Sequence, residues 1–274
     1  MFDQNSPCDP ASLVSEGQVG RSASPLRRIQ VVANVATPGL PGARNTGVRV
    51  SHCSLVAFCD DDDIWLPGKL RDQVELLGMH PEADAVAGGI RLRAGGRTFD
   101  RVPSAAALTF PMLLRRRHTE VHASTYVVRR SALEGAIGLF DEAVPGGYGE
   151  DYDWLLRATR RAPVPLVRRP LTEVTWHERS YFGERWADVA DGFAYLLGKH
   201  PEFARDRRGY ARVAGRIAFA SAADGRRAAA REWRRRTRRA ARREPRTYLS
   251  WLVEHRLVRA ATLLRLAHRT GRGI

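Results

Sequence analysis

The chain of 274 residues has only three cysteines, Cys8, Cys53 and Cys59. Three is odd and the spacing is not that of a metal site, so a disulfide framework and a zinc module are both excluded, and reduced thiols of a cytoplasmic protein are expected. Cys59 lies in an apolar run and reads as a small core residue. No stretch of 18 or more apolar residues occurs, which excludes a membrane-spanning helix by sequence. The N-terminus lacks a basic segment followed by an apolar one, so no signal peptide is recognised. Lysine is nearly absent: Lys69 and Lys199 are the only two. Arginine takes its place, and with abundant alanine this is the composition of a GC-rich coding sequence.

The net charge of +15 is unevenly placed. Residues 205–274 hold 21 Arg and 5 acidic residues, a net of +16, and the remaining chain is close to neutral. The basicity therefore belongs to a C-terminal segment. Its helices admit three readings. They are solvated faces of an appendage, a surface for the anionic inner leaflet of a membrane, or a nucleic-acid surface. Against nucleic acid, no recognised binding motif is present and aromatic residues are not interleaved as stacking platforms. A peripheral place at the inner face of the cell membrane is the localisation consistent with the second reading.

Residues 55–65 read Leu-Val-Ala-Phe-Cys-Asp-Asp-Asp-Asp-Ile-Trp. A run of strand length ends in four consecutive carboxylates, Asp60 to Asp63. Such crowding is relieved by a cation, and oxygen ligands favour Mg²⁺ or Mn²⁺. The plainer alternative is a solvated acidic turn opening the next helix, with Pro67 in its first turn.

Around this run, strands are predicted at 29–33, 55–59, 83–92, 122–128, 164–167 and 171–176. Helices are predicted at 43–50, 67–79 (Leu70, Val74 and Leu77 on its apolar face), 105–115, from Ser131, and at 150–161. The alternation predicts an α/β domain with a mainly parallel sheet, whose ligand crevice lies at the carboxyl ends of the strands. Beyond Tyr181 the pattern is all-helical, with helices at 184–199, 206–222, 226–243 and 247–269. Two regions follow: an α/β domain over 1–180 and a helical, Arg-rich region over 181–274.

A second acidic constellation spans residues 140–157. A Gly-rich turn (Gly146, Gly147, Gly149), expected to be mobile, leads into a helix that opens with Glu150, Asp151 and Asp153. Acids in a first turn are favoured by the helix dipole alone. The same position keeps a carboxylate ionised, as a base accepting a hydroxyl proton must be.

Taken in order, these segments resemble the family 2 glycosyltransferases of GT-A fold. Gly42-Ala43-Arg44-Asn45-Thr46-Gly47 resembles the Ala-Arg-Asn-x-Gly element of that family. Phe58 to Trp65 resembles its Asp-x-Asp metal motif, and Phe140-Asp141-Glu142 with Gly149 to Asp153 resembles its acceptor-side Glu-Asp motif. His177 matches a late histidine of many members. The agreement covers roughly residues 30–200.

The resemblance implies an inverting, metal-dependent transfer from a nucleotide-diphosphate sugar to a hydroxyl of a saccharide or lipid-linked acceptor. It implies Asp60 and Asp62 at the metal, with Asp62 nearest, and Asp61 and Asp63 on ribose or sugar hydroxyls. Arg44 and Asn45 are implied near the nucleotide, or else brace their helix. Asp151 is the implied general base, and Glu150 contacts the acceptor or orients the loop. His177 is implied as a metal or diphosphate ligand, its plainer role being structural. Trp154 is core or a pocket wall against substrate. Asp3 matches a base-contacting aspartate. The usual first strand and its Pro-Thr-x-Asn loop are not found, so a shortened N-terminus is expected. The Gln-x-x-Arg-Trp signature of processive members is absent, implying one sugar per binding event. Two other classes remain: a nucleotidyltransferase-like metal enzyme, and a degenerate, non-catalytic relative.

Overall fold

A computed structural model describes residues 30–94, 96–176 and 185–269, with side chains to 267. The expected Asp3 and His177 lie outside the described residues. Helix α1 is Leu40–Val50 and is followed by strand β1 (Leu55–Ala57), β2 (Ile64–Trp65), α2 (Lys69–Met79), β3 (Ala85–Ala94) and β4 (Arg97–Arg101). Then come β5 (Ala107–Leu108), α3 (Phe110–Arg115), a 3₁₀ turn at Ala123–Thr125, β6 (Val127–Arg129) and α4 (Arg130–Glu134). A second 3₁₀ turn (Pro145–Gly147) precedes α5 (Glu150–Arg161) and the long strand β7 (Val164–Trp176). The C-terminal helices are α6 (Trp186–Lys199), α7 (Arg207–Ala223), α8 (Arg227–Ala240), α9 (Pro245–Glu254) and α10 (Ala260–Arg269).

The sheet runs in the order β1-β6-β3-β7-β2, with β4 on β3 and β5 on β7. It is mixed rather than mainly parallel: among the described pairs only β3–β7 is parallel. The alternation of elements misleads because several links are too short for a crossover. β4 folds straight back on β3, with Ala94 opposite Arg97.

One pairing decides where the site forms. β1 and β6 are antiparallel, with Ala57 opposite Val127. The segment that follows β1 and the one that precedes β6 therefore emerge at the same end of the sheet. β1 and β2 stand at opposite ends of the strand order, so residues 58–63 carry the chain from one to the other. Ser124 pins this crossing: its Oγ accepts from Asp60 N–H at 3.0 Å, and its carbonyl accepts from Trp65 Nε1 at 3.1 Å and Thr172 Oγ1 at 3.0 Å.

Several expected elements change. Of the strand expected at 29–33, the described residues 30–33 give only an isolated bridge at Ala33, and 122–128 is a 3₁₀ turn with only a short strand after it. The final expected helix is two, broken where Arg256 adopts φ 59°. Cys59 is exposed, not core. On α2 the predicted apolar face is outward: Leu70 and Val74 are exposed, and Lys69, Gln73 and Leu77 are buried. Gln73 Nε2 donates to the carbonyls of Thr125 (2.6 Å) and Val86 (3.3 Å), and Lys69 donates to Gln73 Oε1 at 2.7 Å. Carbonyls left free at the sheet's irregular end select polar partners over leucine.

The main apolar cluster extends from Val48 to Ala220 and includes Phe193 and Leu196 of α6 and Ile217 of α7. Apolar packing thus crosses position 180. A separate cluster of Phe219, Ala222, Ala230 and Val253 joins α7, α8 and α9. No helix among the described residues is long and apolar enough to cross a membrane.

Candidate active site

Arg44 of α1 is the centre of the site. It is buried, and its guanidinium donates to Asp60 Oδ1 at 2.8 Å and, through the other terminal nitrogen, to Glu150 Oε1. Its plane also lies 5.3 Å from the Phe140 ring centre. One side chain thereby ties three segments that the sequence keeps apart. Asn45 beside it is engaged by the segment at 140–142. Its amide donates to Phe140 O (2.8 Å) and Glu142 Oε1 (2.7 Å), and its oxygen accepts from Phe140 N–H (2.9 Å).

Asp60 meets two further groups from the same end of the sheet. Asp60, Asp63 and His122 each offer one ligand atom, and these atoms lie within 4.8 Å of one another. His122 Nδ1 is 3.2 Å from Asp63 Oδ2, and its Nε2 is 3.9 Å from Asp60 Oδ2. Nδ1 also accepts from the Ser124 N–H at 3.4 Å, so it presents a lone pair rather than a proton to that amide. Asp63 Oδ2 is buried and has no hydrogen-bond partner. The Asp63 oxygen beside this imidazole nitrogen suits positive charge, either a proton on His122 or a bound cation. Asp62, expected nearest the metal, is instead exposed and outside this group, as is Asp61. Loss of hydration, and then the carboxylates of Asp63 and Asp61, push the Asp62 carboxyl up.

Burial opposes ionisation of Asp60, but Arg44 and then His122 outweigh it and hold the carboxyl below its usual range. His122 sits above the ordinary histidine range: burial disfavours its charge, and Asp63 and Asp60 more than compensate.

The second acidic motif sits at the start of α5. Gly149 caps the helix at φ 94°, a conformation that favours glycine. Glu150 and Asp151 are both buried. Asp151 accepts from Arg117 Nη2 on both oxygens, at 2.9 and 2.8 Å, and Oδ1 also takes the Tyr152 N–H at 2.7 Å. Burial works against its charge, yet Arg117 and His122 keep Asp151 ionised. In Glu150 burial prevails over Arg44 and raises the carboxyl. The adjacent acids are thus driven apart, the arrangement by which two carboxyls take different roles.

The Gly-rich turn is packed, not free. Gly147 approaches Pro41 of α1, and the Tyr148 carbonyl lies against Gly192 of α6 so closely that a β-carbon there would sit 2.4 Å from it. A cavity of about 380 Å³ lies between residues 37–41 and 142–147. Trp154, expected as core or as a pocket wall, is core: it is fully buried between Tyr126 and Phe140, with ring centres 5.7 and 5.8 Å away, and donates to Gly138 O at 3.1 Å. It has no surface to offer a substrate.

The structure therefore joins Arg44, Asp60, Asp63, Glu150 and Asp151, and adds Arg117 and His122. Neither addition lies in a motif. Only the register of β1 on β6 places His122 opposite the acidic run.

Residues 20–134 match the family model for Glycosyl transferase family 2. A 50-residue stretch is 38% identical to the Escherichia coli UDP-Glc:alpha-D-GlcNAc-diphosphoundecaprenol beta-1,3-glucosyltransferase WfgD, covering 18% of this chain and 20% of that protein. The match thus spans about a fifth of the length of that relative. The fold is similar to that of S. aureus TarS 1–349 in complex with UDP-GlcNAc, with TM-score 0.54 and 13% identity over 98% of this chain and 81% of the other. At that identity the likeness concerns the fold. Residues 20–134 are thus similar to glycosyl transferase family 2, and the architecture is similar to the GT-A fold of TarS.

Proposed function

We propose that the chain transfers a single sugar from a nucleotide-diphosphate sugar, a UDP-sugar by the company it keeps, to a hydroxyl of a lipid-linked or other saccharide acceptor, with inversion at the anomeric carbon. The observation that carries this reading is the double engagement of Arg44, which sets the acidic end of β1 beside the acidic start of α5.

Four carboxyls, Asp60, Asp63, Glu150 and Asp151, face two guanidiniums and one imidazole, so the site has room for added positive charge. Asp60, Asp63 and His122 would hold a Mg²⁺ or Mn²⁺ ion, with Asp62 at the exposed rim on the donor's approach. When bound, the ion neutralises charge on the departing diphosphate. Asp151 takes the proton of the acceptor hydroxyl as its oxygen forms the new bond to the anomeric carbon. The bond from that carbon to the diphosphate oxygen breaks, and the electron pair leaves with the nucleotide. Glu150 and Arg44 fix the start of α5 so that Asp151 faces the opposite side from the leaving group. The lipid-linked acceptor would place the protein peripherally at a membrane face.

Calorimetric titration of UDP with and without Mn²⁺ tests the donor half, and product anomer analysis by NMR tests the stereochemistry. Metal-dependent UDP binding lost in Asp60→Asn supports the reading; UDP binding indifferent to both the metal and Asp60 overturns it.

A further inference from the structure

A second concave feature lies among the C-terminal helices. A cavity of about 670 Å³ is lined by Arg207 at the start of α7 and by Arg238, Arg239, Ala240 and Arg242 at the end of α8. Four guanidiniums thus share one hollow whose lining holds no carboxylate. Other arginines of α8 are treated differently. Arg231 and Arg234 pair with Glu254, and Arg235 and Arg236 pair with Glu232. Among the described residues, none of the four lining arginines lies within ion-pair distance of a carboxylate, although Arg207 donates to the Arg239 carbonyl at 3.1 Å. Their mutual repulsion is relieved by an oxyanion, and planar guanidinium forks match phosphate oxygens.

The next two helices supply an apolar complement. Tyr248, Trp251, Leu257 and Leu266 are exposed in α9, α10 and the link between them. Tyr248 and Trp251 are three residues apart and share one helix face. Exposed aromatic and leucine side chains in a strongly basic helical region, with no spanning helix among the described residues, are the composition of a surface that lies in the headgroup layer.

We propose that the Arg207–Arg238–Arg239–Arg242 hollow is a docking site for phosphate headgroups of an anionic phospholipid bilayer. The inference rests on the proposed lipid-linked acceptor, which brings the enzyme to such a surface, and it assigns the contact to the end of α8 rather than to the positive charge of the whole region.

The test compares two charge-matched variants of the full chain, Arg238→Ala/Arg239→Ala in the hollow and Arg235→Ala/Arg236→Ala among the paired arginines. Sedimentation with vesicles of phosphatidylglycerol and phosphatidylcholine, or of phosphatidylcholine alone, measures partitioning. Binding to the anionic vesicles should fall roughly thirtyfold in the first variant and about twofold or less in the second. Equal losses in both would mean diffuse attraction and overturn the site, as would wild-type protein that ignores anionic vesicles. Titration with inorganic pyrophosphate separates the sources: saturable pyrophosphate binding by protein that does not partition would assign the hollow to a free phosphate compound and overturn membrane docking. UDP binding with Mn²⁺, measured on the same preparations, reports independently on the transferase reading, and thermal melting confirms that both variants are folded.

Discussion

Both oxygens of the Asp151 carboxylate accept hydrogen bonds from one nitrogen, Nη2 of Arg117. The group proposed to take a proton is therefore already engaged by a permanent cation. A base held this way is ionised down to low pH but is weak, and it gains strength only as the guanidinium turns aside.

Removal of that cation has a definite sign. Arg117 holds the Asp151 carboxyl below its usual range, so Arg117→Gln raises it. The acid limb of the kcat/KM profile should move to higher pH, with kcat near neutrality retained or increased. An acid limb identical to that of the wild type would remove Asp151 from the role of base. The variant also leaves a buried acid short of its partner, and several kcal/mol of destabilisation is expected where such a pair is broken.

The metal assignment separates two readings of the acidic run. The spacing of the motif favours Asp60 and Asp62, whereas the geometry gathers Asp60, Asp63 and His122. Mn²⁺ affinity, followed by electron paramagnetic resonance, should fall in Asp63→Asn and His122→Ala by more than the roughly tenfold typical of losing an outer partner. Asp62→Asn should chiefly weaken the ternary complex with UDP. If His122→Ala binds Mn²⁺ as the wild type does, the imidazole is not a ligand.

Lys69 provides a test of stability against pH. Burial lowers its amine to about 8, below the unfolded value of about 10.4, and the side chain lies over the Trp65 ring at 4.4 Å. In that interval the unfolded chain binds the proton and the folded chain does not, so stability rises with pH. Relative to Lys69→Met, the wild type should gain about 3 kcal/mol between pH 8 and pH 10.5 in urea titrations. A flat difference would mean that the amine stays charged in the fold.

Gly192 and Gly198 stand on the same helix and should respond oppositely to alanine. At Gly198 an added β-carbon meets nothing within 4 Å, and helix propensity alone predicts up to about 1 kcal/mol of stabilisation. At Gly192 the same atom meets the Tyr148 carbonyl at 2.4 Å. Overpacking of this kind costs about 1–3 kcal/mol, or several degrees in Tm for a chain of this size. Displacing Tyr148 also shifts the turn into α5, so Gly192→Ala should lower kcat while Gly198→Ala leaves it unchanged.

The acidic motifs were legible because short-range chemistry dictates them: carboxylates at a strand end and at a helix start need no long-range information. The α5 helix and the α/β class were legible for the same reason. Arg117 and His122 were not, since each meets its partner through strand register, and register is set by the whole sheet. The polar inner face of α2 was read inverted. Leu70 and Val74 satisfy the helical period, but the free carbonyls of Val86 and Thr125 claim that face for Gln73. For Trp154 the sequence left core and pocket wall open, and packing against Phe140 and Tyr126 decides for core.

Arg44 has a consequence for how such a chain can change over generations. Its guanidinium is shared by acids at positions 60 and 150, so loss of Arg44 strands two carboxylates at once, whereas loss of one acid leaves the arginine paired with the other. Drift at these positions is therefore not independent. Lineages that keep the fold but abandon the chemistry can shed one acid and keep Arg44 with the other, and a lineage that loses Arg44 while keeping both acids should be rare.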